Sequence, residues 1–137
     1  MREIIFRGKR LNDGEWVEGN FVKGCIDDFA YIVEFGNKDL CRNYVEVIPE
    51  TVGQYTGLTD KNGKKIFEGD IISIPFEEDV VYYENAEVYF DTEHCGWYVR
   101  YFDDESFSLW EYDDCDITII GNIHDNPELL KGDKDNG

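Results

Sequence analysis

Gln54-Tyr55-Thr56-Gly57-Leu58-Thr59-Asp60-Lys61-Asn62-Gly63-Lys64-Lys65-Ile66-Phe67-Glu68-Gly69-Asp70-Ile71-Ile72-Ser73-Ile74-Pro75 is the stretch on which the fold turns. Two β-prone runs, Gln54-Tyr55-Thr56-Gly57 and Lys65-Ile66-Phe67, flank Asp60-Lys61-Asn62-Gly63-Lys64, the sharpest turn signal in the chain. Asn-Gly favours positive φ at both central positions of a type I′ turn, so a hairpin is predicted here. Glu68-Gly69-Asp70 makes a second corner and launches Ile71-Ile72-Ser73-Ile74, which Pro75 ends. Glycine supplies backbone conformations that other residues reach only with strain. The Asp70 carboxylate is placed to accept hydrogen bonds from turn amides.

The same alternation of short apolar runs and turn residues extends in both directions. Upstream lie Ile4-Ile5-Phe6-Arg7, the run Glu15 to Lys23 broken at Gly19-Asn20, Phe29 to Phe35, and Tyr44 to Ile48. Asn12-Asp13-Gly14 carries an Asp-Gly hairpin signal. Downstream lie Ala86 to Phe90, Gly96 to Phe102 and Ile117 to Ile123. Many short strands at this spacing predict a barrel or sandwich. One helix is predicted, at the end: Asn126 as cap, Pro127 at the first helical position and Glu128 at the positive helix end, with Leu129 and Leu130 docking onto the strands. The segment from Asp103 to Leu109 reads equally as a loop or a short helix.

Charge is the most unusual property. The chain has 13 basic and 31 acidic residues, a formal net charge of −18, where a small soluble domain typically carries a magnitude of about 2–8. The excess is regional: residues 1–50 carry 7 basic and 10 acidic residues, and residues 71–137 carry 3 and 18. Such a field repels phosphate backbones and anionic membrane surfaces, so neither direct nucleic-acid binding nor membrane association is expected. It attracts basic proteins, or it keeps a β-rich chain soluble. Cys25, Cys41, Cys95 and Cys115 form no C-x-x-C pair, which removes the zinc-ribbon and thioredoxin readings. No signal peptide or membrane-spanning run is visible, and reduced thiols in the cytoplasm are expected.

Three segments resemble one family. Met1-Arg2-Glu3-Ile4-Ile5-Phe6-Arg7-Gly8-Lys9-Arg10 with Gly14-Glu15-Trp16-Val17-Glu18-Gly19 is similar to its N-terminal motif. Residues 51–72, with Gly53, Gln54, Tyr55, Thr56, Gly57, Asn62, Gly63, Gly69 and Asp70, resemble its central signature. Residues 119–130, with Gly121, Asn122, Asn126 and Pro127, resemble its C-terminal motif. The family is YopX, small proteins of phages and prophages. The resemblance implies a mainly β fold containing an antiparallel β-barrel, to which the residues themselves add a smaller N-terminal β unit and the short C-terminal helix. One domain over residues 1–131 is expected, divisible near Pro49 into an N-terminal β unit over 1–49 and the barrel over 50–131, with a disordered tail over 132–137. The resemblance implies a phage or prophage origin and no catalytic residue. Turn chemistry accounts for each of its motifs, so they are read as structural.

No catalytic, cofactor-binding or metal-binding constellation emerges. Asp91, Glu93, His94 and Cys95 are the sole local cluster of metal-type ligands, and neighbours on a strand point to opposite faces, so a polar hairpin turn is expected instead. His124 has no nucleophile tied to it by a motif. Glu77-Glu78-Asp79, Asp103-Asp104-Glu105 and Asp113-Asp114 read as solvated loops, because glycosidase acids need a set separation across a cleft. Aromatic residues interleave with acids from Tyr82 to Tyr112, and those outside the core are candidate interface anchors: Tyr82, Tyr83, Trp97, Tyr101 and Trp110. The leading expectation is a phage accessory protein of the bacterial cytoplasm that binds a protein or itself, as a homo-oligomer, and needs no cofactor. The alternatives are an acidic DNA mimic that blocks a DNA-binding protein and, behind it, a small hydrolase or metal-dependent enzyme.

Overall fold

A computed structural model describes residues 2–24, 28–34, 44–77, 79–112 and 116–130. Cys25, Cys41, Cys115, Asp113-Asp114 and the tail 132–137 lie outside these. Among the described residues there are eleven strands and no α-helix. The chain divides into two compact units, residues 1–57 and 58–137.

The first unit holds β1 (Phe6–Lys9), β2 (Trp16–Lys23), β3 (Ala30–Glu34), β4 (Tyr44–Val47) and most of β5 (Gly53–Thr59). They lie side by side in the order β4-β3-β2-β1-β5, antiparallel where their registers are defined. Val17, Ala30, Ile32 and Val47 form its core, with Phe6, Phe21 and Val52 packed against them. Thr51 fastens the crossing from β4 to β5: its Oγ1 accepts the Lys9 amide at 2.9 Å and donates to the Ile48 carbonyl at 2.6 Å. β2 runs unbroken through Gly19-Asn20, contrary to the expected break. Gly19 serves close packing, since a Cβ there would stand 1.9 Å from the Val33 carbonyl oxygen on β3.

The second unit holds β6 (Lys65–Phe67), β7 (Asp70–Glu77), β8 (Val81–Asp91), β9 (Gly96–Tyr101), β10 (Ser106–Ser108) and β11 (Thr118–Asn122). The last five form an antiparallel sheet in the order β10-β9-β8-β7-β11. Strand alternation puts Ile72 and Ile74 of β7, Ala86 and Val88 of β8, and Val99 and Tyr101 of β9 on one face, which closes over Ile66, Leu109 and Ile117 as a single core. Each fully buried Val or Ile contributes about 1.5–3 kcal/mol relative to exposure.

Three expectations are corrected. Among the described residues no closed barrel forms, because β10 and β11, the two ends of the sheet, do not pair with each other. The chain after β10 turns at Leu109–Tyr112 into a 3-10 turn that drives Leu109 into the core in place of continuing as a strand. The segment from Asp103 to Leu109 is therefore a turn, the strand β10 and the first residue of that turn. The C-terminal helix is replaced by one 3-10 turn, Pro127–Leu130. Four residues close too few hydrogen bonds to offset helix nucleation. Asn126 does not cap this turn with its side chain, which reaches back to accept the Asn122 amide at 3.3 Å. The third correction concerns the central hairpin. Gly63 has φ of +81°, whereas Asn62 is not at positive φ, so the turn is not type I′. The Gly63 amide bonds the Asp60 carbonyl at 3.0 Å and the Asp60 amide bonds Lys64 at 2.8 Å, the geometry of a three-residue loop whose glycine occupies the left-handed position.

Asp60 explains that choice. Its Oδ1 accepts the amides of Asn62 and Lys64, each at 2.9 Å, and its Oδ2 accepts the Ile119 amide of β11 at 3.1 Å. Burial pushes this carboxyl's pKa up, and the amides of Ile119, Lys64 and Asn62 more than offset it, leaving the group below its usual range. Asp70 is likewise buried and accepts the Phe67 amide at 2.7 Å.

Asp60→Ala strands three amides, and a loss of roughly 3 kcal/mol is expected in chemical denaturation at neutral pH. A group with a depressed folded pKa stabilises above its unfolded pKa and loses that contribution as pH falls through the folded value. The stability gap between the parent and Asp60→Asn should therefore be full at neutral pH and shrink on acidification below about 3.9; a gap independent of pH between neutrality and that range would exclude this account. Gly19→Ala should cost about 2–3 kcal/mol by overpacking, where an ordinary surface position would change stability by less than about 0.5 kcal/mol.

Candidate functional site

The outward face of the second unit's sheet carries its most organised polar chemistry. Alternation places Glu87 and Tyr89 of β8 beside Arg100 and Tyr98 of β9 on the face opposite the core. The Arg100 guanidinium lies over the Tyr89 ring, 4.2 Å from its centroid, and 3.8 Å from the Glu87 carboxylate. The Tyr89 hydroxyl donates to Ser106 Oγ of β10 at 2.9 Å. At the β8–β9 turn, His94 stacks on Tyr98 at 5.1 Å and its Nδ1 meets Asp91 at 2.9 Å. The bond to His94, with the amides of Glu93 and His94, holds the Asp91 carboxyl below its usual range. Asp91 thus organises the turn through Glu93 and His94, and exposed Cys95 sits in it at φ of +53°. Among the described residues no group of three or more His, Cys, Asp or Glu side chains is arranged to hold a metal ion.

The five aromatic candidates do not share one surface role. Tyr101 is buried in the core, where its hydroxyl bonds Tyr112 at 3.1 Å. Trp97 is half-buried against the same core and meets Phe90 edge-on at 5.1 Å. Tyr82 is half-buried and stacks on Phe76 at 5.4 Å across the β7–β8 hairpin. Tyr83 and Trp110 stand in solvent, 65% and 70% exposed. Alternation on β8 separates Tyr82 from Tyr83, because neighbours on a strand face opposite ways.

The motif residues lie at turns and packing points. Gly53 pairs with Arg7 and Gln54 with Phe6 where β5 joins β1. Tyr55 is buried, its amide bonded to the Ile5 carbonyl, and Thr56 is half-buried beside it. Gly57 and Gly69 adopt φ of +93° and +90°. Gly121 follows the β11 bulge and faces Asn126, with a Cβ placed there lying 2.5 Å from Asn126 Oδ1. Asn122 Oδ1 accepts the amides of His124 and Asp125, which fixes the turn before Pro127. His124 is half-buried there. The Arg100–Tyr89–Glu87 group was not legible in the sequence, since it depends on the β8–β9 register.

A separate groove in the first unit, about 390 Å³, is lined by Phe6, Phe21, Ala30, Pro49 and Val52 with Lys23 and Asp28 among them. No helix among the described residues is long and apolar enough to cross a membrane.

A protein of short antiparallel strands, with no α-helix among its described residues and an open sheet whose outer face is polar and aromatic, is the class that this fold and site define. Within it the chain belongs to the YopX family: the family model described as YopX protein matches residues 5–131. The chain is also similar to a solved protein, EF1440 from Enterococcus faecalis, at 27% identity and a TM-score of 0.55, over 96% of this chain and 100% of that one. No curated protein matches it.

The aromatic set should divide by burial when truncated. Tyr101→Ala is expected to destabilise by about 3–5 kcal/mol, and Trp110→Ala by less than about 0.5 kcal/mol, measured by denaturant unfolding.

Proposed function

We propose that this protein is a phage or prophage accessory protein that acts by binding another protein, not by catalysis. The observation that carries the reading is the pair of large rings, Tyr83 and Trp110, held in water on the acidic unit. Neither is used by the core, and exposed aromatic residues are the commonest anchors of protein interfaces. Residues 58–137 carry 6 basic and 21 acidic residues, a field that accelerates encounter with a basic protein and rejects acidic ones. Phage origin is the expectation that the family resemblance carries, and family membership supports it.

The test is affinity capture from a lysogenic host with the full chain as bait, beside Tyr83→Ala and Trp110→Ala variants whose fold is verified by circular dichroism. A protein retained by the parent and weakened about tenfold or more by either variant is the expected result. Equal retention by a folded double variant would remove the aromatic anchors. A substrate turned over by the purified chain would remove the non-enzymatic reading. Light scattering at a multiple of 16.0 kDa would identify the partner as the chain itself.

A further inference from the structure

The β7–β8 hairpin outruns its neighbours in the sheet. β8 pairs with β7 from Val81 to Glu87, but β9 covers β8 only from Ala86 onward. On the other flank, β11 covers β7 only up to Ser73. Beyond those limits the hairpin presents two strand edges with no neighbouring strand among the described residues.

The direction of each edge follows from the hydrogen-bond pattern. The Tyr101 amide donates to the Glu105 carbonyl, just before β10, so the preceding residue, Arg100, faces β8 and its register partner Glu87 faces β9. The Val88 carbonyl accepts from Gly69 on the β7 side, which agrees. By alternation the main-chain groups of Val81, Tyr83 and Asn85 point along the side where β9 has ended, and those of Tyr82 and Glu84 point to β7. On β7 the residues facing outward are Ser73, Pro75 and Glu77.

The two edges are not equivalent. On β7 the outward position just past the end of β11 is Pro75, which has no N–H to offer, a common device for blocking an edge. Directly across the hairpin, at Tyr83, the β8 edge keeps its N–H and carries no proline. Its outward face is apolar at Val81, 57% exposed, and Tyr83, 65% exposed, with Val80 71% exposed at the tip, and ends at Asn85, whose side-chain amide donates to the Leu129 carbonyl at 2.9 Å. Around it are exposed Glu77, Asp79 and Glu84, and the turn that stands where β9 stops contains exposed Asp103, Asp104 and Glu105. Arg100, the nearest basic side chain on β9, is engaged with Glu87 and Tyr89.

We propose that the edge of β8 from Val81 to Asn85 is a β-augmentation site for a basic, extended segment of a partner protein. Main-chain pairing to Val81, Tyr83 and Asn85 supplies affinity, Tyr83 receives an apolar side chain of the added strand, and the surrounding carboxylates select lysine or arginine at the alternate positions. Charge sets this occupant apart from a second copy of the chain, which would bring another −18 to the same edge. The inference rests on the binding function proposed above and names the place and the partner's chemistry.

The experiment uses the full chain and a short end-blocked peptide of alternating lysine and valine, at low and high salt, with amide hydrogen exchange read residue by residue by NMR. Binding should slow exchange at Val81, Tyr83 and Asn85 by about tenfold or more while Tyr82 and Glu84, already paired with β7, stay unchanged. Affinity should fall as salt rises. Tyr83→Pro removes an outward N–H without breaking a bond to β7, and should weaken the peptide by about tenfold. Bound peptide without the alternating protection would overturn the edge as the site. No binding at low salt would overturn it as well. Protection at the same amides that grows with protein concentration alone, with a doubled mass in light scattering, would assign the edge to a second copy and overturn the basic-peptide proposal. A captured partner that leaves these amides unprotected would sink the edge while leaving the binding function standing; failure of capture alone would sink the function, since amide exchange is scored without it.

Discussion

The second unit depends on one buried carboxylate. Asp60 sits at the tip of the β5–β6 hairpin, with its three accepted amides divided between its own turn and β11. A carboxylate left unpaired at that depth would be driven to its neutral form. Three amide donors make the charged form the stable one and cost the structure little, because those amides need acceptors in any case. The Lys61 amide adds a bond to the Ile117 carbonyl, and the Ile123 amide one to the Gly69 carbonyl. Residues about sixty positions apart are thereby locked in register, and the β11 edge is set before its bulge between Ile119 and Gly121. The central and C-terminal sequence motifs are two halves of this one junction.

That junction shows where reading the sequence succeeds and where it stops. The hairpin at Asn62-Gly63, the corner at Gly69 and the role of Asp70 as an amide acceptor all follow from local chemistry, and local chemistry is written in adjacent residues. The turn type did not follow. Asn-Gly is compatible with two hairpin loops, and the carboxylate of Asp60, bonded to Asn62 and Lys64, selects the longer one. The absence of closure was equally hidden, because nothing in Ser106-Phe107-Ser108 announces that the next residue, Leu109, leaves the sheet to plug the core. Gly19 looked like a break because glycine often is one; it is a contact, visible only once Val33 lies across from it. The candidate aromatic surface was half legible. Composition identified the rings, but assigning Tyr101 to the core and Tyr83 to solvent required the phase of each strand, which the alternation of β8 and β9 fixes.

Charge enters the interior of the second unit only where main-chain amides hold it. The core of the second unit is built of apolar side chains with the Tyr101 hydroxyl bonded to that of Tyr112, and its two buried carboxylates, Asp60 and Asp70, work as acceptors for main-chain N–H groups. The remaining acids of the described residues stand at least partly in solvent. Repulsion among them opposes compaction only weakly where water screens it, so the fold tolerates a large net charge that acts outward. The Arg100 group is the local exception: one cation, held by a ring and a carboxylate, neutralises the middle of the β8–β9 face and leaves the ends acidic.

Openness of the sheet is what gives that outward charge a place to act. A closed barrel has no edges, and an open sheet has to manage each one it keeps. This sheet manages most of them. β10 is three residues long and gives way to the turn that buries Leu109. β11 is interrupted by its bulge, and the free stretch of β7 carries Pro75. Against that background the stretch of β8 that no described strand covers, with Tyr83 exposed in its centre and carboxylates around it, is not what solubility alone would select. Acids near an unpaired strand repel other copies of the same acidic chain, which protects against edge-to-edge aggregation, and the same acids attract a strand of opposite charge. One arrangement of residues would therefore serve both protection against self-pairing and the basic partner proposed above.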